Sequence, residues 1–205
     1  MSASRPDWTC IHVHLCYPRE RYSLLNLTIY DAPMFKISTS FAEDERPHLA
    51  ELLWEGFEDK MIGLYGPKEN GVAYFAVSFS RERLIGARTS DGHIVGMAGL
   101  RTPDGSFVPP SKEAIDRHYP EDAADKIISV AGLQDNVSDD DVLSIDILSV
   151  ASAFQNKGLG TQLVTACYRE AERLGFEQAS VADLGDDGKI FGIRRVVTMQ
   201  ANASN

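Results

Sequence analysis

The stretch that decides the fold runs from Val142 to Phe176 and reads VLSIDILSVASAFQNKGLGTQLVTACYREAERLGF. Residues 142–150 form a nearly continuous apolar run, which predicts a strand that is buried on both faces. From residue 163 to residue 174, apolar side chains recur at helical spacing with polar side chains between them, which predicts an amphipathic helix. Gly175 stands where a glycine often ends a helix. The stretch therefore predicts a strand, a glycine-containing loop and a helix.

The loop between this strand and this helix, residues 155–160, has the sequence QNKGLG. A helix start carries unpaired backbone N–H groups and the positive end of the helix dipole. Glycine lets an anion approach such a backbone closely, and Lys157 adds a positive charge at the rim. The loop therefore predicts an anion site, most simply for phosphate or pyrophosphate.

Two common phosphate-binding motifs do not fit this loop. The P-loop pattern GxxxxGK[ST] is absent, which argues against a nucleoside triphosphate as ligand. The dinucleotide fingerprint GxGxxG fails at its third glycine, where Leu163 stands. The pattern that remains is Gln-x-x-Gly-x-Gly directly after a strand.

With this pattern the sequence resembles the GNAT superfamily of N-acetyltransferases. The matching residues are Leu148, Ser149 and Val150 at the strand end, then Phe154, Gln155, Lys157, Gly158, Leu159 and Gly160, and the helix entered at Thr161. The family often has Pro where this chain has Ser152. The resemblance implies an α/β (α+β) fold, in which a mixed, mostly antiparallel central sheet is flanked by helices.

The resemblance also implies an acyl-CoA site, with acetyl-CoA as co-substrate. The backbone of Leu148, Ser149 and Val150 would pair with the pantetheine arm as an added strand would. The pyrophosphate would be held by the loop and helix start, that is by Gln155, Asn156, Lys157, Gly158, Leu159, Gly160 and Thr161. The implied activity is transfer of an acetyl group to an amine acceptor by direct attack in a ternary complex, without a metal.

Asp146 is the candidate general base, because the family often carries an acidic residue at about this place on this strand. Regular alternation along a strand would put Asp146 on the same side as Leu148 and Val150. The alternative is that Asp146 is a satisfied polar group with no catalytic role.

Past Asp183 the sequence departs from the family, which usually continues with a helix bearing a Tyr that protonates the departing CoA thiolate. No Tyr follows Tyr168, and Phe191 is the nearest counterpart. We therefore expect an atypical, shortened C-terminal part from residue 184 and a weakened activity. Two other functions stay open: a non-catalytic acyl-CoA-binding protein, and a dinucleotide-binding module in which Asp183 binds the ribose.

The whole chain divides into an N-terminal extension and one domain. Residues 1–34 are poorly patterned, and residues 35–205 are assigned to the acetyltransferase domain, with an insertion at about 102–141 that could cover a substrate site or be a disordered loop. Strands are predicted at residues 35–41, 83–89, 94–101, 178–183 and 196–199. Helices are predicted at residues 49–61 and 72–79, and inside the insertion at 112–118 and 121–130.

The segment from Cys10 to Cys16, with His12 and His14 between them, suggests a zinc site. Alternate residues on a strand lie ~6.6 Å apart, so these side chains would span ~20 Å. Ligands of one zinc ion must crowd within about 2.3 Å of it. No metal site is therefore expected.

Composition bounds the partners and the compartment. The 205 residues carry a formal net charge of −10, which argues against broad binding to nucleic acid or to an anionic membrane. The same charge is mildly favourable for an amine substrate, either a small molecule or a peptide or protein amine. No apolar run approaches the ~20 residues of a membrane span. With three cysteines and no CxxC pattern, a cytoplasmic location is expected, and a homodimer is left open.

Overall fold

A computed structural model describes residues 35–135, 142–183 and 195–201 of the chain. Three features predicted from the sequence lie outside the described residues: the extension over residues 1–34 with its cysteines and histidines, most of the acidic loop after residue 135, and the segment 184–194 that contains Phe191.

The strands and helices follow one another in the predicted order. The strands are β1 (Lys36–Ser38), β2 (Leu84–Arg88), β3 (Ile94–Arg101), β4 (Val142–Val150), β5 (Phe176–Asp183) and β6 (Arg195–Ala201). The helices are α1 (Arg46–Tyr65), α2 (Lys68–Ser78), α3 (Lys112–His118), α4 (Glu121–Asp135) and α5 (Leu159–Arg173). Short 3₁₀ turns precede α1, β2 and α5.

The strands form one six-stranded sheet in the order β1-β2-β3-β4-β6-β5. Each pairing between described strands is antiparallel. The predicted fold class, a mainly antiparallel sheet flanked by helices, is confirmed. β6 is longer than predicted, and it pairs with β5 from Ala201 opposite Phe176 to Arg195 opposite Asp183.

The sheet carries a helix layer on each face. One layer holds the first four helices, and its core includes Leu53, Trp54, Tyr74, Ile115 and Ile127. The other layer is α5, whose Leu159, Leu163, Cys167 and Ala171 pack against β2, β3 and β4 side chains such as Ile85, Leu100 and Ile145. The predicted amphipathic pattern after the glycine loop is thus the pattern that buries α5.

The insertion before β4 is part of the core. Ser111 accepts a hydrogen bond from the Ala114 N–H at 3.2 Å and so caps the start of α3. Ile115 and Ile127 are fully buried against α1 and α2. Helix α3 has the predicted bounds, whereas α4 continues five residues beyond its predicted end, to Asp135. Of the two expectations for this insertion, disorder is wrong for its helices.

The two first helices pack closely because a glycine faces a tryptophan. A Cβ on Gly71 of α2 would lie 2.0 Å from the Trp54 Cζ3 of α1, and Trp54 is 1% exposed. Arg46 ties the end of α2 to the start of α1, because its Nε donates to the Ala76 carbonyl at 2.7 Å and its Nη2 to the Phe79 carbonyl at 2.8 Å. Trp54, Gly71 and Arg46 therefore join α1 and α2 at several points.

This packing predicts that Gly71→Ala destabilises the protein. The added methyl group overlaps the indole ring, and overpacking of a core costs about 1–3 kcal/mol. The matched control is Gly63→Ala in α1, where a Cβ would meet nothing within 4 Å. That control should be stabilised by about 0.5–1 kcal/mol, because alanine loses less conformational entropy in a helix. Urea unfolding of both variants measures the difference, and equal stabilities would contradict the packing described here.

Candidate functional site

Burial along β4 alternates between buried and half-buried residues, and the buried residues lie on both faces of the sheet, as the sequence predicts. Leu143, Ile145, Ile147 and Ser149 are buried, and the residues between them are half-buried. Leu148 is half-buried and packs against the core cluster of α5. The predicted strand itself has the predicted bounds.

A β-bulge interrupts β4 at Asp146. Ile147 lies opposite Gly99 of β3 and Ile145 lies opposite Leu100, so β4 has one residue more than β3 between these two positions. The extra residue changes which face the side chains reach. Ile147 packs with α1 and α2, whereas Ile145 packs with α5.

The Asp146 carboxylate makes a nearly buried ion pair with Arg101 of β3. The Arg101 Nε lies 2.9 Å from the Asp146 Oδ2 and 3.2 Å from the Asp146 Oδ1. The Arg101 side chain is 11% exposed and the Asp146 side chain is 13% exposed. The Ser144 hydroxyl donates to Oδ1 at 3.2 Å. Both Asp146 oxygens are therefore engaged by protein donors.

The bulge also decides the face on which this carboxylate lies. Arg101 and Ser144 are opposite each other in the ladder, so they share a face. Leu148 and Val150 pack on the other face, with α5. The prediction that Asp146 shares the side of Leu148 and Val150 is therefore wrong, because it assumed regular alternation through a position where the strand is bulged.

One edge of β4 is open beyond its first two residues. β3 pairs with residues 144–150 along the first edge. On the second edge, β6 pairs only with Val142 and Leu143. Within the described ranges, no strand covers the second edge of residues 144–150, which includes the predicted positions Leu148, Ser149 and Val150. An open edge of this kind accepts an extended ligand as an added strand.

A compact loop follows β4 and leads to α5. Phe154 packs edge-on against Phe35 with 5.9 Å between ring centroids, and the Lys157 Nζ lies 5.2 Å from the Phe154 centroid. Asn156 and Gly158 have positive φ angles of 60° and 78°, which glycine and asparagine tolerate best. The predicted loop residues 155–158 are all exposed.

Gln155 is used differently from the prediction. Its side-chain Nε2 donates to the Val150 carbonyl at 3.0 Å. Its backbone N–H donates to the Ser152 carbonyl at 3.3 Å. Gln155 therefore braces the loop against the end of β4, and its own N–H is not among the free donors.

The start of α5 offers free donors beside an open space. The first bond into the helix runs from the Gln162 N–H to the Gly158 carbonyl at 3.1 Å, so the N–H groups of Leu159, Gly160 and Thr161 have no partner within the helix. Leu159 is 1% exposed and anchors this turn. A Cβ on Gly160 would meet only the Leu148 Cδ2, at 3.8 Å. Packing within the protein therefore does not require glycine here, whereas close approach of an anion does.

The structure places some of the predicted site residues next to one another. The loop and the α5 start follow directly on the open edge of β4. The Ser149 side chain turns away from that edge, because its hydroxyl donates to the Leu52 carbonyl of α1 at 2.8 Å. Arg101 and Ser144 were not predicted from the sequence. The signal for Arg101 was present, since it is a charged residue inside a predicted strand.

Three other titratable groups of the described core have pKa values raised by burial. Burial raises the pKa of the Cys167 thiol to about 12, so this side chain stays protonated and packs as an apolar residue. Burial likewise raises the pKa of the Tyr65 and Tyr119 hydroxyls well above their usual value. In the part of the chain that the structure describes, no group of three or more His, Cys, Asp or Glu residues could hold a metal ion.

None of the helices in residues 35–135 and 142–183 combines the length and the apolar character needed to cross a membrane.

Comparison with known proteins supports one family. The model of the acetyltransferase (GNAT) family matches residues 46–188. No curated protein matches the sequence. Solved structures that are similar to this chain include an N-acetyltransferase from Staphylococcus aureus Mu50, at 11% identity, covering 80% of this chain and 98% of that chain, with a TM-score of 0.43. Another is arylalkylamine N-acetyltransferase 2 from Aedes aegypti, at 17% identity. The match covers 80% of this chain and 97% of that chain, with a TM-score of 0.41.

The Arg101–Asp146 ion pair predicts a strong stability effect. Arg101→Met should destabilise the protein by about 3 kcal/mol, since removal of one member of a buried pair leaves a charge without its counter-ion. The double variant Arg101→Met/Asp146→Asn should recover most of this loss, because it removes both charges of the pair. Urea unfolding of the two single variants and the double variant gives the coupling energy. Simple additivity of the two substitutions would contradict the pairing.

Proposed function

Because the chain belongs to the GNAT acetyltransferase family, we propose that it is an N-acetyltransferase that transfers an acetyl group from acetyl-CoA to an amine acceptor. The observation that carries this proposal is the start of α5, whose free N–H groups adjoin the open edge of β4. A ligand with both a pyrophosphate and an extended amide-containing arm matches these two features together. Coenzyme A is such a ligand.

Backbone groups would do most of the cofactor binding. The N–H groups of Leu159, Gly160 and Thr161 would hold the pyrophosphate at the positive end of α5. The exposed Lys157 would add a positive charge, and Asn156 and Gly158 would hold the loop open through their left-handed backbones. The pantetheine amides would pair with the edge of Leu148, Ser149 and Val150. Gln155 would act indirectly, by bracing the loop on Val150.

The reaction would proceed by direct attack in a ternary complex. The amine nitrogen forms a bond to the thioester carbonyl carbon, the carbon–sulfur bond breaks, and CoA leaves as its thiolate. Alignment of the two bound substrates supplies much of the acceleration. A backbone N–H beside the β4 bulge would polarise the carbonyl oxygen. Because a thiol has a pKa of about 8.5 in model peptides, the thiolate leaves without an obligatory acid.

Asp146 would receive the proton that the amine must lose. Its carboxylate lies on the α1 face of β4, at the bulge. Proton transfer to Asp146, directly or through one water molecule, would release the neutral amine for attack.

Charge and composition support a class of acceptor and a cellular compartment. A formal net charge of −10 favours an amine acceptor, either a small molecule or a peptide or protein amine, over nucleic acid or an anionic membrane. We place the protein in the cytoplasm, as a monomer or a homodimer, with acetyl-CoA as a co-substrate and no metal.

After Asp183 the sequence differs from the usual family pattern. This difference favours a second candidate function, that of an acyl-CoA-binding protein without catalysis. It would share the cofactor site and lack amine turnover. The dinucleotide-binding module has no comparable support, because such modules need parallel neighbouring strands around their glycine loop. Here β6 lies between β4 and β5, and its pairings are antiparallel.

The cofactor site predicts that acetyl-CoA stabilises the protein and that Gly160→Glu abolishes this effect. At a concentration about 100-fold above Kd, binding should contribute about 2.7 kcal/mol. A carboxylate at residue 160 would both repel and block the pyrophosphate. Gly63→Glu is the matched control, since its side chain also enters open space on a helix, and it should keep the stabilisation. Thermal unfolding with and without acetyl-CoA tests both variants, and a wild type that does not respond would remove the cofactor assignment.

The role of Asp146 predicts that Asp146→Asn lowers turnover and leaves acetyl-CoA affinity nearly unchanged. Loss of a general base typically costs ~10²–10⁴-fold in rate. Ser144→Ala is the control, because it removes one hydrogen bond to the carboxylate and keeps the carboxylate itself, so its loss should be much smaller. Thiol release over a panel of amines measures turnover. If the pH–rate profile of Asp146→Asn equals that of the wild type, Asp146 is not the base.

A further inference from the structure

Helix α1 changes direction at the point where it lies on β4. Phe57 has φ −139° and ψ 19°, a non-helical geometry inside the segment Arg46–Tyr65. Kinks of this kind arise at proline, at glycine, or where a side chain approaches the hydrogen-bond ladder of the helix. The only proline of α1 is at its second residue, Pro47, so it cannot cause the kink. The residue before Phe57 is Gly56.

A side chain of the sheet reaches into α1 at this point. The Ser149 hydroxyl donates to the Leu52 carbonyl at 2.8 Å, and Ser149 is 4% exposed. In a regular helix the Leu52 carbonyl accepts from the N–H of residue 56. The hydroxyl from β4 therefore approaches the carbonyl that serves Gly56, one residue before the helical geometry breaks. This approach gives the kink a local physical cause.

Gly56 and Ser149 fit each other sterically. A Cβ on Gly56 would lie 2.5 Å from the Ser149 Oγ and 3.2 Å from the Ser149 Cβ. The first distance is shorter than any real contact of a Cβ atom, so α1 approaches β4 this closely only because residue 56 is glycine. We refer to this arrangement as the Gly56–Ser149 contact.

The part of α1 after the kink, residues 57–65, is fixed at its far end. Tyr65 stacks on Tyr74 of α2 with 5.8 Å between centroids, and the Lys126 Nζ of α4 donates to the Gly63 carbonyl at 3.2 Å. Met61 and Leu64 pack against the core below it. The Gly56–Ser149 contact fixes the near end. A change at this contact would therefore tilt residues 57–65 about a held far end.

We propose that the Gly56–Ser149 contact positions residues 57–65 of α1 as the wall of the amine-binding side of the site. This inference rests on the proposed acetyl transfer. Ser149 lies between Leu148 and Val150 on the open stretch of β4. Gly56 is exposed whereas Ser149 is buried, so α1 borders the surface beside that open stretch. An acceptor approaching an acyl group on this edge from the Asp146 face meets α1 at and after its kink.

Ser149 is then a positioning residue, because its hydroxyl acts on α1 and does not point to the open edge. The proposed contacts of acetyl-CoA are backbone groups of β4 and of the α5 start. Changes at the Gly56–Ser149 contact should therefore affect recognition of the amine and spare the binding of acetyl-CoA. A residue with a purely structural role would lower stability and change no kinetic constant selectively.

A double-mutant cycle on the full-length protein tests this assignment. Gly56→Ala should raise the amine KM by roughly tenfold or more, since a ~1 Å misplacement can cost up to ~10²-fold. Its acetyl-CoA Kd should stay within about twofold of the wild type. Ser149→Ala, which adds no atoms, should raise the amine KM less. In the double variant the 2.5 Å clash is gone and the 3.2 Å separation remains, so its KM should be lower than that of Gly56→Ala.

Hydrogen exchange of residues 57–65 provides a second readout, and it should be faster in Gly56→Ala and partly restored in the double variant. Ser129→Ala on the exposed side of α4 is the control, and it should leave the amine KM and the acetyl-CoA Kd unchanged. If Gly56→Ala does not fold, Ser149→Ala alone decides. An unchanged amine KM in both single variants, or a double variant no better than Gly56→Ala, would overturn the inference while the proposed function stands. A wild type that binds no acetyl-CoA would instead refute the proposed function, and this inference with it.

Discussion

The extra residue in β4 is the constraint on which the rest of this structure depends. Because β4 has one residue more than β3 at this point, the strand changes faces there. Ile145 packs against α5 before the bulge, and Ile147 packs against α1 and α2 after it. One strand thereby anchors both helix layers. The cost of burying Asp146 and Arg101 together is large, so the pair is better explained by the geometry it specifies than by added stability.

The bulge also connects the core to the chemistry. It places a carboxylate on the α1 face of β4, whereas the burial of Leu159, Leu163 and Cys167 holds the start of α5 at the end of the same strand. The free N–H groups and the carboxylate are thus positioned by the same packing that stabilises the fold. A site built in this way needs few dedicated side chains, which agrees with a loop whose residues are nearly all exposed.

Local patterns in the sequence predicted most of the fold. The apolar period of residues 163–174 and the bounds of α3 both follow from residues close in the chain. The bulge could not be predicted, because it depends on the register between β3 and β4, which local alternation does not encode. For the same reason the sequence indicated Asp146 as a site residue but assigned its side chain to the wrong face. The position of β6 between β4 and β5 is likewise a long-range property.

In the proposed site, the acyl donor and the acceptor would be recognised in different ways, and this difference bears on which residues can change without loss of donor binding. The proposed acyl donor is recognised by peptide groups, which any sequence provides once the strand edge and the helix start are in place. In the proposed arrangement, recognition of the acceptor would depend instead on where α1 lies above β4. In this chain that position rests on a glycine and a serine that touch across the two elements. Since neither side chain needs to contact a substrate, a change at either one can alter the acceptor side and leave the donor side intact. Under this proposal, acceptor preference would depend on packing in the core as well as on residues on the surface.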